Sequence, residues 1–288
     1  MNKIITFIFL ILALNFFSCS KDSATIPSYI YIDQVKVQTN VAIEGASTEN
    51  ITDIWVYVNN FPVGVFGKQK LIPILPDETG NQEILLIAGI RDNGIKENIQ
   101  QYYLYNQINI TKQLVPGQID TIQAVFRYNS DVEFVFVEGF ESGNIFNNDV
   151  DGDEITKIAI TDQNPRSGNK SGTIDLNAEH PSIEVTSCIE YYNLPNNGNL
   201  TYLEMDYFGT NEFIIGISGK DAVGNEYKSD FIVLKTKEEW NKIYLNLTKT
   251  IQDSGLKSYR IYFKAIFNNN KERTNIFLDN IKLLYSQK

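Results

Sequence analysis

Residues 200–208 read Leu200-Thr201-Tyr202-Leu203-Glu204-Met205-Asp206-Tyr207-Phe208. In an extended chain successive side chains point to opposite faces. Leu200, Tyr202, Glu204, Asp206 and Phe208 therefore share one face, and Thr201, Leu203, Met205 and Tyr207 the other. One face carries the acids and the other apolar bodies, which is the pattern of a half-buried strand with its acidic face outward.

The same reading extends in both directions. Upstream, strand-like runs cover 132–137, 155–160 and 183–192, with a Gly-, Ser- and Asn-rich loop at 163–172 and no strand assigned between 173 and 182. Downstream, 213–218 and 227–235 bracket the hairpin loop 219–225, and 243–247, 259–267 and 275–285 finish the chain. Residues 248–255 suit one short helical turn.

Toward the N-terminus, short β-rich runs at 29–37, 54–58, 61–66, 71–75, 83–90, 99–105, 108–114 and 121–128 are punctuated by turns. Asn59-Asn60 tolerates positive φ at both positions, which predicts a tight hairpin. Arg91-Asp92-Asn93-Gly94 closes another. Pro73 lacks an N–H and places its run at a sheet edge. Strands of this number and spacing predict an immunoglobulin-like β-sandwich over residues 29–130, with a boundary at Asn129-Ser130-Asp131. No 3.6-residue periodicity is sustained, so the class is all-β.

Of the 288 residues, 43% are hydrophobic and 12% aromatic, enough for sizeable cores and suited to sheets. The net charge of −10 and the lack of a Lys/Arg stripe exclude a nucleic-acid partner. The two cysteines are Cys19 and Cys188; Cys188 reads as a small buried thiol, and the only histidine is His180. One His and one spare Cys cannot supply a zinc site.

Lys3 precedes a run at 4–17 that is apolar except for Thr6 and Asn15. As a helix this run rises about 21 Å, short of the roughly 30 Å hydrocarbon core, and reads as a secretory signal. Asn15-Phe16-Phe17-Ser18-Cys19 resembles a bacterial lipobox in the relaxed form of Bacteroidota surface lipoproteins, with Phe16 where Leu is usual. The resemblance implies a signal peptide at 1–18, lipidation of Cys19, a tether at 19–28, and a lipid-anchored place on the outer membrane or cell surface. Asp22-Ser23-Ala24, and more weakly Asp120-Thr121-Ile122, resembles the Bacteroidota O-glycosylation motif.

The second block opens with Glu138-Gly139-Phe140-Glu141-Ser142-Gly143 and closes with Phe277-Leu278-Asp279-Asn280-Ile281-Lys282-Leu283. Between them stand Pro165–Ser171 and the run from Trp240 to Leu247. This order resembles the jelly-roll domains of carbohydrate-binding modules and related adhesion domains. The resemblance implies a jelly-roll β-sandwich over 131–288, first and last strands side by side, and a structural Ca²⁺ held by Glu141 and Asp279. The residues alone allow another reading, in which Glu141 caps a turn and Asp279 accepts backbone N–H bonds.

Asp149, Asp151, Asp153 and Glu154 do not make an EF-hand, because Glu154 and Ile160 stand where Gly and Glu are needed; an acidic surface loop is expected. Trp55 and Trp240 suit core packing or sugar stacking, with core packing preferred. No carboxylate pair, phosphate loop or nucleophile constellation marks an enzyme. The expected function is non-catalytic: a lipid-anchored envelope protein binding glycan or another surface component through its jelly roll. The alternative is a structural or adhesion subunit with protein partners.

Overall fold

The computed structural model describes residues 26–77 and 80–288. Cys19 and Asp22-Ser23-Ala24 lie outside the described residues. Among the described residues, no helix is long and apolar enough to cross a membrane.

The first block holds β1 (Ser28–Val37), β2 (Asp53–Val58), β3 (Phe61–Gly67), β4 (Leu71–Ile74), β5 (Gln82–Arg91), β6 (Ile99–Gln101), β7 (Ile108–Lys112) and β8 (Ile119–Phe126). They form two sheets, β4-β1-β8 and β3-β2-β5 with β6 and β7 also on β5. Strand β1 runs parallel to β8 and antiparallel to β4. This is an immunoglobulin-like sandwich. Asn59 and Asn60 both take positive φ, at 49° and 67°, in the β2–β3 turn, and Pro73 sits in edge strand β4. A one-turn helix, α1 (Val41–Glu44), interrupts the run after β1; its sequence has no periodicity to announce it.

The second block holds β9 (Val132–Glu138), β10 (Asn148–Asp149), β11 (Ala159–Thr161), β12 (Ser171–Asn177), β13 (Ser182–Thr186), β14 (Tyr191–Tyr192), β15 (Thr201–Gly209), β16 (Phe213–Lys220), β17 (Glu226–Leu234) and β18 (Lys237–Asn246). Helix α2 (Thr248–Ser254) then leads to β19 (Ser258–Ile266) and β20 (Arg273–Ser286). One sheet has the order β11-β12-β20-β15-β18, the other β10-β13-β19-β16-β17. The long β20 pairs β12 with its first half and β9 with its second, so the first and last strands of this jelly roll are neighbours.

Inward residues of the two jelly-roll sheets, among them Leu203, Met205, Ile215, Ile217, Phe263 and Leu283, make one apolar core. The first sandwich has its own, built on Ile30, Ile54, Val56, Leu86 and Phe126, but this core continues into Tyr202, Tyr244 and Leu284 of the jelly roll. That continuity corrects the reading of 200–208. Both faces of β15 are buried: Leu203 and Met205 face the jelly-roll core, while Glu204 and Asp206, fully buried, lie on the side where Tyr102 and Tyr128 of the first sandwich reach Glu204. The period was read correctly; what covers its polar side was not visible in it.

Other departures are local. Strand β12 fills the stretch left unassigned, and β11 is confined to Ala159–Thr161 because residues 155–158 are spent on a turn. Cys188 is exposed in the bend after β13; its N–H donates to the Ile145 carbonyl at 2.7 Å, which turns the chain outward there. Trp55 and Trp240 are half-buried and belong to neither apolar core. Trp240 packs edge-on against Phe208, which stacks on Phe277 at 4.6 Å.

Candidate functional site

The two carboxylates that the resemblance assigns to a cation both hold one loop. Exposed Glu141 accepts the N–H of Asn169 at 2.7 Å and of Lys170 at 3.0 Å through Oε1. Buried Asp279 accepts the N–H of Arg166 at 3.0 Å and Ser167 at 3.1 Å through Oδ2, and its neighbour Asn280 N–H at 2.7 Å through Oδ1. Together they grip residues 166–170. Burial pushes the Asp279 carboxyl up to about 7, against the pull of these three N–H donors. Among the described residues, no group of three or more His, Cys, Asp or Glu side chains is arranged to hold a metal ion.

Sequence reading passed over Glu138, the buried carboxylate of the same motif. Its two oxygens accept the N–H of Phe140 at 2.6 Å and Ile145 at 2.8 Å, closing a turn in which Phe140 takes a positive φ of 59°. The acidic loop is tied in the same way. Asp151 accepts the Glu184 N–H at 2.7 Å, and Asp153 faces His180 Nδ1 at 2.8 Å. His180 holds the Asp153 carboxyl below its ordinary value.

Where the two sandwiches meet, a polar cluster is sealed from water. Glu204 accepts the Tyr102 hydroxyl at 2.6 Å and the Tyr128 hydroxyl at 2.8 Å, and pairs with Lys242 at 3.0 Å. Lys282 stands opposite Glu204 in the sheet and donates to the Ala46 carbonyl at 2.9 Å. Burial of the Glu204 carboxyl would raise its pKa; the Lys242 and Lys282 ammonium groups and the Tyr102 hydroxyl outweigh it and hold the carboxyl ionised. Burial and the nearby Lys242 charge bring Lys282 down to about 7. Asp206 accepts from Thr48 at 2.6 Å and Asn280 at 3.1 Å, and Arg166 stands 3.6 Å away. An interior carboxylate is tolerated only when so many partners surround it. The cluster is a structural joint, and it covers the part of this face formed by β15, β18 and the second half of β20.

The opposite sheet keeps its outer face open. Inward residues Ile183, Val185, Ile215, Ile217, Ile261 and Phe263 leave Glu184, Thr186, Ser218, Arg260 and Tyr262 facing outward by strand alternation. Tyr262 lies flat across Gly216, where a Cβ would collide with its ring. Lys228 sits 5.0 Å from the ring centroid and pairs with Glu184, and the Tyr262 hydroxyl donates to Asp230. Beside it, the Arg260 guanidinium donates to the Ser187 carbonyl at 2.6 Å and approaches Glu190 at 4.0 Å. The Ser258 hydroxyl, then Tyr192 and Arg260, hold the Glu190 carboxyl below its usual range. Of these, Glu184, Glu190, Lys228 and Arg260 line a groove of about 300 Å³ with Ser218 and with Asn148 and Thr186, themselves joined at 2.7 Å. Charged and hydroxyl groups are thus fixed in place on a rigid sheet. Tyr262 itself is fully buried beneath these neighbours, so the flat aromatic face is not offered to solvent.

No family model matches this chain, and no curated protein does. Solved structures do. The chain is similar to the C-terminal family 22 carbohydrate-binding module of Clostridium thermocellum xylanase 10B, at 10% identity over 55% of this chain and 98% of that one, with a TM-score of 0.38. It is similar to a family 61 module solved in complex with β-1,4-galactotriose, at 18% identity over 52% of this chain and 94% of that one, TM-score 0.35. A carbohydrate-binding module described as promiscuous aligns over 90% of this chain and 98% of its own, at 13% identity and TM-score 0.36. The chain also spans 19% of the enzymatically active domain of a bacteriophage tailspike protein, at 12% identity and TM-score 0.36.

Proposed function

We propose that this protein is a non-catalytic, lipid-anchored component of the bacterial cell envelope that binds glycan on the open face of its jelly roll. The observation that carries the reading is the groove between Glu184, Glu190, Ser218, Lys228 and Arg260. It presents donors and acceptors held by neighbours on a rigid sheet, which suits a hydroxyl-rich ligand recognised by many fixed polar contacts. The first sandwich covers the other sheet around Glu204 and Asp206, whereas the sheet that carries this groove is not covered by it.

The same groove favours binding over hydrolysis. A general acid for glycoside cleavage needs a carboxyl held above its ordinary pKa. Of the three groove carboxylates, Glu190 is held below it, Glu184 is paired with Lys228, and Glu226 is exposed at the rim. The anchor rests on Ser18-Cys19 of the sequence, which would put the first sandwich between membrane and ligand.

A glycan array probed with the mature chain tests the binding part. Retention on defined glycans, lost on Arg260→Ala with the fold intact by circular dichroism, is expected. Absence of retention, or retention indifferent to Arg260, overturns it. Mass spectrometry of the N-terminus made in a bacterial host tests the anchor, which requires acyl chains on Cys19.

A further inference from the structure

A second cleft lies at the seam between the two sandwiches, away from the open sheet. It encloses about 420 Å³ between the β5–β6 turn and strands β17 and β18. Five of its lining residues are basic, namely Arg91, Lys96, Lys235, Lys237 and Lys242, and none is Asp or Glu. In a chain of net charge −10 that composition runs against the average and focuses positive potential in one concavity. Arg91, Lys235 and Lys242 have carboxylate partners in Asp53, Glu212 and Glu204. Lys96 and Lys237, both exposed, have none among the described residues. The walls are preformed. The Asn93 N–H donates to the Tyr244 carbonyl at 2.9 Å, and Asn50 Nδ2 to the Lys242 carbonyl at 2.9 Å. Gly94, at φ 70°, lets its turn lie on Ile243, whose Cδ1 would be 2.9 Å from any added Cβ. Below the cationic rim, buried Tyr207, Leu234 and Ile243 supply an apolar floor.

We propose that this seam cleft is a binding site for an acidic saccharide unit, one bearing a carboxylate or a sulfate. The apolar floor receives the ring, and Lys96 and Lys237 meet the anionic group with charge-assisted hydrogen bonds. The site is independent of the groove on the open sheet and stands whether or not that groove binds glycan.

Isothermal titration of the mature chain at low salt with an oligogalacturonate, a sulfated disaccharide and a neutral oligosaccharide of matching length tests it. At least one acidic ligand binds, the neutral one does not bind in the cleft, and the carboxylate and sulfate arms identify which group is read. In the Lys96→Gln/Lys237→Gln double variant, binding of that ligand weakens about tenfold or more, as expected for the loss of two charge-assisted contacts. Because both side chains are exposed, the melting temperature of this variant stays that of the parent. Arg260→Ala, on the other sheet, leaves the acidic ligand bound, which separates this site from the groove. The proposal is overturned if neither acidic ligand binds, if the double variant binds it unchanged, or if inorganic sulfate competes as well as the saccharide.

Discussion

The two outer faces of the jelly roll use the same three residue types in opposite ways. On the covered face, Glu204 meets Lys242 and Tyr102 in full burial. On the open face, Glu184 meets Lys228 at the rim of a groove, with the buried Tyr262 ring beneath the ammonium. Coulomb's law is the same in both places, and the surroundings decide the outcome. Without water, a carboxylate must keep every partner, so the cluster fixes how the two sandwiches join. In water, an equivalent pair contributes little to stability and is free to exchange its partners for a ligand. A Glu–Lys–Tyr constellation thus reads as a joint or as a recognition surface according to what lies above it.

The contrast is broken most forcefully at Glu204. Replacing it by Ala leaves Lys242 and Lys282 buried without their counter-charge, and a loss of about 3–5 kcal/mol is expected in denaturant unfolding. Tyr102→Phe removes one hydroxyl donor from the same carboxylate and costs about 1.5–3 kcal/mol. At the surface, Lys228→Ala changes stability by less than about 1 kcal/mol, yet it removes a wall of the groove and weakens glycan retention. That split between stability and binding is the sharpest form of the comparison.

The joint also carries a pH signature. Asp279, raised to about 7 by burial, contributes stability that is complete below its unfolded value near 3.8 and is lost as pH rises through 7. Lys282, lowered to about 7, contributes stability that is present above 10.5 and is lost as pH falls toward 7. The parent therefore loses ground relative to Asp279→Asn between pH 4 and 7. Relative to Lys282→Met it gains ground between pH 7 and 10.5. Melting temperatures of parent and variants across pH 4–10 check both slopes. The smallest expected effect is that of calcium. The Glu141 and Asp279 oxygens hold the N–H groups of 166–170, so 1 mM Ca²⁺ should leave the melting temperature where it is; a rise of several degrees would bear out the expected Ca²⁺ site.

Much of the fold was legible because backbone chemistry is local. Asn59-Asn60 announces a turn that needs positive φ twice, Pro73 marks an edge, and residues 248–255 hold the short helix α2. Strand β12 escaped because Gly172 and Asp175 interrupt a short apolar run. The site was less legible, for a different physical reason. Strand alternation states which residues share a face, and says nothing about whether that face meets water or a second domain. Lys282 did leave a trace, as a lone cation in the run Ile281-Lys282-Leu283-Leu284, and Lys242 stands likewise before Ile243-Tyr244-Leu245. A buried acid needs such cations nearby, and both stand in strands paired with β15. The groove left no comparable mark, since its residues come from β10, β13, β16, β17, β19 and the loop holding Glu190, and each looks like an ordinary surface side chain.

The most direct test uses the two tryptophans, one per sandwich. Trp55 belongs to β2 and Trp240 to β18, so Trp240→Phe and Trp55→Phe variants report the unfolding of each sandwich separately. With Glu204 in place, the two denaturant transitions should coincide, because the first core runs into Tyr202, Tyr244 and Leu284 of the jelly roll; in a Glu204→Ala background they should separate. Two distinct midpoints with Glu204 intact would contradict the claim that the joint makes the two sandwiches one unit.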